Sequence, residues 1–259
     1  IRWRRCEVTD RRLGSMVLED TGDGPSVVLI HGLGGTSNSF EPLMPALAGY
    51  RVVRPDLPGS GRSGFRPGID SIAALARTVT DALRAIGVSS AILIGHSMGT
   101  LLCQHMAVKA PERVSSMILF GAILEPPSAA RASLLDRARS VQANGMADVA
   151  STIASGSVKA ESPVSHAFVR ESLIRQSPEG YAAQCRALAS AKALPHDRIT
   201  CPVTLVTGRE DPVAPPAMAE QLQQSLPNAD LTLLPNTGHW PMIEAPHACR
   251  EVIAQALAP

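Results

Sequence analysis

Residues 95–99 read Gly95-His96-Ser97-Met98-Gly99 and follow directly on the apolar run Ala91-Ile92-Leu93-Ile94. A serine flanked at two residues on each side by glycine is common by chance. Its place between a strand-like run and a helix-like segment is what constrains the fold. A strand that turns into a helix this sharply forces Ser97 into a strained backbone conformation. A side chain at either flank would collide with the neighbouring strand or helix, which is the reading of Gly95 and Gly99. The outcome is a hydroxyl standing at the end of a strand, above the first amides of a helix.

The surrounding sequence alternates between two periods. Val27-Val28-Leu29-Ile30 is a continuous apolar run, the pattern of a strand covered on both faces. Residues 51–54, 91–94 and 117–120 are further strand-like runs, and residues 39–47, 71–86 and 98–109 between them are helix-like. The second of these places Ile72, Leu75, Ala76, Val79, Leu83 and Ile86 at a 3.6-residue period and meets a stop at Gly87. Such alternation predicts an α/β fold with a mostly parallel central sheet and helices on both faces. Residues 3–20 lack an intervening helix and are expected as an antiparallel hairpin at the sheet edge. Between 125 and 194 the rhythm breaks: Leu134, Leu135, Ala138 and Val141, then Phe168, Leu173 and Ile174, keep helical spacing with no strand between them. Strand rhythm resumes at 203–207 and 231–234. The chain therefore divides into a core of residues 1–124 and 195–259 and a helical cap of residues 125–194. The cap is inserted after the fourth parallel strand and lies over the C-terminal edge of the sheet, where open α/β sheets bind ligands.

Bulk properties exclude several classes. With 259 residues and 45% hydrophobic content the chain suits one large core. Net charge is +1, and the densest basic group, Arg2, Arg4, Arg5, Arg11 and Arg12, reads as a solvated edge strand. Aromatics are 3% of the chain, too few for a base-stacking nucleic-acid surface. Cys6, Cys103, Cys185, Cys201 and Cys249 contain no C-x-x-C pair, so neither a zinc site nor a disulfide framework is indicated. Reduced thiols point to a cytoplasmic setting. No apolar stretch approaches the ~20 residues that cross a bilayer, and the N-terminus shows no signal-peptide core.

A serine hydroxyl is a poor nucleophile at neutral pH and needs a base within hydrogen-bond reach. His239 is the candidate, on the loop Asn236-Thr237-Gly238-His239-Trp240-Pro241 after the last strand. Asp211, in Gly208-Arg209-Glu210-Asp211-Pro212, follows the strand at 203–207 and is the acid that would fix the imidazole tautomer. Glu210 is its main rival, with Asp56 and Glu125 behind. Successive side chains on a turn diverge, so one of Glu210 and Asp211 should face inward. Two amides would meet the oxyanion: that of Met98, opening a helix, and that of Leu33, in His31-Gly32-Leu33-Gly34-Gly35. This loop matches neither G-x-G-x-x-G nor a P-loop. His31 is expected to bond the loop, the segment from Asp56 to Ser63 to form a structural turn, and His96 to point under the sheet.

In this order His31–Gly35, Asp56–Ser63, Gly95–Gly99, Gly208–Pro215 and Asn236–Pro241 resemble the α/β-hydrolase superfamily over nearly the whole chain. Within it the chain is similar to 3-oxoadipate enol-lactonases and related esterases, whose cap segments the stretches at 137–146 and 177–185 resemble. The resemblance implies a serine hydrolase cleaving a carboxylic ester or lactone of a small molecule through an acyl-enzyme, without metal or organic cofactor. Serine at position 97 argues against the relatives that use aspartate there. The alternatives are a carbon–carbon bond hydrolase of ring-cleavage products, a carbamate or amide hydrolase, a perhydrolase, and a ligand receptor on the same fold. Carbon–carbon hydrolases of this kind commonly carry Gly-Pro-Gly where this chain has Gly34-Gly35-Thr36. Cap residues Arg137, Arg139, Arg170, Arg175 and Arg186 are either solvent-facing charges or contacts for an anionic substrate.

Overall fold

The computed structural model describes residues 9–159 and 163–258. In chain order the elements begin with β1 (Thr9–Leu13), β2 (Met16–Thr21), β3 (Ser26–Ile30), β4 (Arg51–Pro55), α1 (Ile72–Ala85), β5 (Ala91–His96), α2 (Met98–Lys109) and β6 (Val114–Phe120). Helices α3 (Ser128–Asn144), α4 (Ala147–Ser157), α5 (Pro163–Ile174) and α6 (Pro178–Ala189) follow without an intervening strand. The chain then returns to the sheet with β7 (Val203–Gly208), α7 (Pro216–Ser225), β8 (Ala229–Leu234), α8 (Pro241–Glu244) and α9 (Pro246–Ala256).

All eight strands form one sheet in the order β1-β2-β4-β3-β5-β6-β7-β8. The pairs β1–β2 and β2–β4 are antiparallel, and every other pair is parallel. Val27, Val28, Leu29 and Ile30 are fully buried, as a continuous apolar run between two helix layers requires. The expected edge hairpin is β1–β2, and its part before Thr9, with Arg2, Arg4 and Arg5, lies outside the described residues. Edge strand β1 is mostly exposed and carries Arg11 and Arg12, whereas every residue of β2 is buried. Charge pairs fasten that edge: Asp20 takes Arg11 at 2.6 Å and Arg51 at 2.8 Å.

Helix α1 shows how local sequence and packing agree. Ser71 caps it by accepting from the Ala74 amide at 3.2 Å, and Leu75, Ala76, Val79 and Leu83 are buried along one face. Gly87 ends it at φ 77°, with its N–H on the Arg84 carbonyl. The helical segment expected at 39–47 is present and begins two residues earlier. It is a 3₁₀ helix over Ser37–Leu47, with Pro42 and Pro45 inside it. Helices α7, α8 and α9 have no counterpart in the sequence reading. Among the described residues no helix is long and apolar enough to cross a membrane.

Two glycine substitutions separate close approach from helix propensity. A Cβ at Gly99 would stand 2.0 Å from the Ile30 carbonyl oxygen, whereas one at Gly156, on α4, meets nothing within 4 Å. Gly99→Ala should destabilise the fold by about 3 kcal/mol or more. Gly156→Ala should leave stability equal or higher by roughly 0.5–1 kcal/mol. Urea unfolding of both variants reads the difference.

Candidate active site

Strand β5 ends at His96, and α2 starts at Met98, so Ser97 alone makes the turn. Its backbone sits at φ 50°, ψ −120°, a region that costs a serine roughly 1–3 kcal/mol. Neighbours hold it there: its N–H donates to the Phe120 carbonyl on β6 at 2.9 Å, and its own carbonyl accepts from the Thr100 hydroxyl at 2.6 Å. Space allows only glycine on both sides. A Cβ at Gly95 would lie 2.8 Å from Cys103 Sγ, and one at Gly99 would run into β3. The collisions anticipated from the sequence are with the helix and with the strand, respectively.

The three distant side chains meet. Ser97 Oγ is 2.8 Å from His239 Nε2, and His239 Nδ1 is 2.8 Å from Asp211 Oδ2. The second oxygen of Asp211 accepts from the Val213 and Ala214 amides at 2.8 and 2.9 Å. Burial opposes ionisation of Asp211. The His239 ring and these two amides outweigh it and hold the carboxyl below its ordinary range. An ionised Asp211 requires the proton of His239 on Nδ1, which leaves Nε2 free to accept the serine proton. Glu210 faces away, accepting from the Thr237 amide at 2.9 Å, so it bonds the backbone of the histidine loop. Glu125 pairs with Arg131 at 3.0 Å.

The structural readings of the neighbouring polar residues also have their partners. His31 Nε2 accepts from the Leu57 amide at 2.9 Å, and its Nδ1 donates to the Gly32 carbonyl at 2.8 Å. Asp56 accepts from the amides of Ser37 and Arg62 and from the Arg62 guanidinium. Ser63 Oγ closes that turn on the Asp56 carbonyl at 2.6 Å. His96 differs from its expectation. It packs against the rings of His239 and Trp240, with centroids 5.0 and 4.8 Å away, and its Nε2 donates to the His239 carbonyl at 2.8 Å. Alternation along β5 puts this side chain on the face that the loop after β8 crosses. Burial and the neighbouring His239 push it down to about 3, so it stays neutral.

Sequence reading missed the brace behind His239. Glu244, on α8, accepts from the Gly238 amide at 2.9 Å, the Trp240 amide at 2.8 Å and the Lys159 amide at 2.7 Å. Ser157, at the end of α4, accepts the His239 N–H on its carbonyl at 2.8 Å and the Trp240 indole N–H on its hydroxyl at 3.0 Å. Glu244 lies four residues after Trp240, so its bonds to the loop are local, whereas Ser157 carries no local signal because it meets His239 only through the tertiary fold.

A cavity of about 400 Å³ opens above Ser97. Leu33, His239 and Trp240 line its floor, and Leu134, Arg137, Ile153 and Tyr181 contribute from α3, α4 and α6. Leu33 follows β3 in a turn closed by the Gly35 N–H on the Gly32 carbonyl at 3.0 Å. Met98 is the first residue of α2, where backbone N–H groups lack intrahelical partners. Among the described residues no group of three or more His, Cys, Asp or Glu is placed to hold a metal ion.

A family model described as alpha/beta hydrolase fold matches residues 25–170 and 159–246. The chain is 31% identical to a pimeloyl-[acyl-carrier protein] methyl ester esterase of Chromobacterium violaceum, over 88% of this chain and 92% of that protein. It is 29% identical to a 2-hydroxy-6-oxo-6-phenylhexa-2,4-dienoate hydrolase of Burkholderia cepacia, over 93% and 90% of the two. Among solved structures, the enol-lactonase from Burkholderia xenovorans LB400 superposes with a TM-score of 0.89 and 25% identity, covering 96% of this chain and 99% of that one.

The buried neutral imidazole makes stability depend on pH. Its folded value is below its unfolded value, so the unfolded chain alone takes up the proton as pH falls below about 6.5. Stability is therefore complete above that pH and declines toward pH 3. His96→Gln should flatten the decline between pH 6 and 4.5 by roughly 1 kcal/mol per pH unit. Urea unfolding at several pH values measures it, and parallel slopes would contradict the assignment. Glu244→Gln replaces an oxygen that accepts backbone N–H groups with an NH₂ group, so a destabilisation of about 1–3 kcal/mol is expected in the same assay.

Proposed function

The chain belongs to the alpha/beta hydrolase fold family, and we propose that within it the protein is a serine hydrolase of carboxylic esters or lactones. One observation carries the reading: the line Ser97–His239–Asp211, with both contacts at 2.8 Å, at the floor of a largely apolar cavity. Residues 125–194 act in this reading as the cap, with 1–124 and 195–259 as the catalytic core.

In the proposed cycle His239 Nε2 takes the Ser97 proton as Oγ bonds to the substrate carbonyl carbon. The C=O electron pair moves onto oxygen, and the amides of Leu33 and Met98 receive that oxyanion. Each such donor is typically worth roughly 10²–10³ in rate. Collapse of the adduct breaks the ester C–O bond, and His239 returns its proton to the departing alkoxide. The product at this stage is an acyl-Ser97 ester. Water then enters, loses a proton to His239 and attacks the acyl carbon; the second adduct collapses by breaking the acyl carbon–Oγ bond, His239 passes that proton to Ser97 Oγ, and the acid leaves. For a lactone the departing alkoxide stays attached to the acyl chain, so a single hydroxy acid leaves. Asp211 stays ionised throughout and stabilises the imidazolium. The cycle calls on no metal or organic cofactor.

A second reading, hydrolysis of a carbon–carbon bond in a ring-cleavage product, is favoured by the similarity to the Burkholderia cepacia hydrolase. Against it stands Gly34-Gly35-Thr36 in the loop after β3, where Gly-Pro-Gly is common in that group. A screen of p-nitrophenyl esters of graded acyl length, lactones and a vinylogous diketone acid separates the two. Turnover of esters or lactones is expected, with Ser97→Ala lowering kcat by about 10⁴-fold or more. Normal turnover by Ser97→Ala would overturn every covalent scheme, and preference for the diketone acid would favour the second reading.

A further inference from the structure

Arg137 is the one Lys, Arg, Asp or Glu among the described residues that line the cavity above Ser97. Its side chain is half-buried and forms no ion pair with any described residue, while other cap arginines are engaged on exposed helix faces. Arg139 pairs with Asp136, Arg175 with Glu171 at 2.6 Å, and Arg170 donates to the Ser151 hydroxyl at 3.3 Å. A guanidinium at the wall of an apolar cavity without a carboxylate beside it is an unfavourable placement unless something arrives to meet it.

Tyr181 lies beside Arg137 in the same wall. It is 1% exposed, and its O–H meets no acceptor among the described residues. Burial first, and the nearby Cys185 second, raise this phenol above its ordinary range, while Arg137 pulls in the opposite direction. A buried donor lacking an acceptor thus stands next to a cation lacking a counter-ion. A carboxylate answers both, because its two oxygens can take the guanidinium fork and a phenol O–H together. Leu134, Ile153 and Leu188 add aliphatic surface to this lining, and Ser133 and Ser157 are its uncharged polar members from the same helices.

We infer that Arg137 and Tyr181 form an anion-recognising subsite, and that the substrate is an ester or lactone with a carboxylate a short apolar chain away from the scissile carbonyl. This deepens the reading of Ser97 as nucleophile and rests on it for the chemistry, though not for the binding.

The test compares p-nitrophenyl hydrogen glutarate with p-nitrophenyl valerate, acyl chains of equal length with and without the terminal carboxylate. Wild-type protein is expected to favour the glutarate in kcat/KM. Arg137→Gln should raise KM for the glutarate by about 10–100-fold with kcat little changed, and leave the valerate within about twofold. Arg137→Lys should recover part of the loss, and Tyr181→Phe should show a smaller loss in the same direction. Equal effects on both esters, or a wild-type preference for the valerate, would overturn the subsite while leaving the serine mechanism intact. Calorimetric titration of Ser97→Ala with glutarate reads binding without turnover. Binding that Arg137→Gln abolishes supports the subsite even if neither ester is hydrolysed, and absence of binding defeats it.

Discussion

A single residue, Ser97, has to carry the chain from β5 into α2, and the rest of the architecture is arranged around that bend. Its left-handed backbone is held from three sides: β6 accepts its amide, Thr100 bonds its carbonyl, and Gly99 lets α2 press against the carbonyl end of β3. The contacts with β6 and β3 need the neighbouring strands at a fixed spacing, so the hydroxyl is only as well placed as the parallel sheet beneath it. A strain of this kind survives where the surrounding structure over-determines it.

Beneath and beside the bend the fold buries polar groups that apolar packing alone would exclude, and each is held in one protonation state. His31 bonds two backbone groups through opposite ring nitrogens and stays neutral in full burial. Asp56 does the reverse. It keeps its charge against burial because the Ser37 amide and the Arg62 side chain and amide surround it. Asp211 is held charged by similar means, so the proton of His239 has a defined nitrogen. Fixed donors and acceptors in a water-poor site orient groups without reorganising during reaction.

The helices between β6 and β7 are tied to the reacting end through backbone bonds. The Ser157 carbonyl takes the His239 amide, and Glu244 joins the amides of Gly238 and Trp240 to that of Lys159. A shift of α4 would therefore be felt at the imidazole. The same helical layer brings Arg137 and Tyr181 over Ser97, so the groups that would choose a substrate and the groups that would cleave it face one cavity.

Much of this was legible in the chain as written. The continuous apolar run at 27–30, the amphipathic period of α1 with its Gly87 stop, and the glycines around Ser97 all act locally, through backbone sterics and hydrogen bonds within a few residues. They determine where strands and helices lie and why a serine stands at a strand end. What only the tertiary structure decided depends on residues far apart in sequence. Glu210 and Asp211 are chemically alike and adjacent, and the path of the histidine loop assigned one to the Thr237 backbone and the other to the His239 ring. His96 and Ser157 brace that loop through contacts that no spacing encodes. Among the arginines on the helices between β6 and β7, helix packing turned Arg137 toward the cavity, since a charge on an amphipathic helix faces solvent or cavity according to what is packed against it.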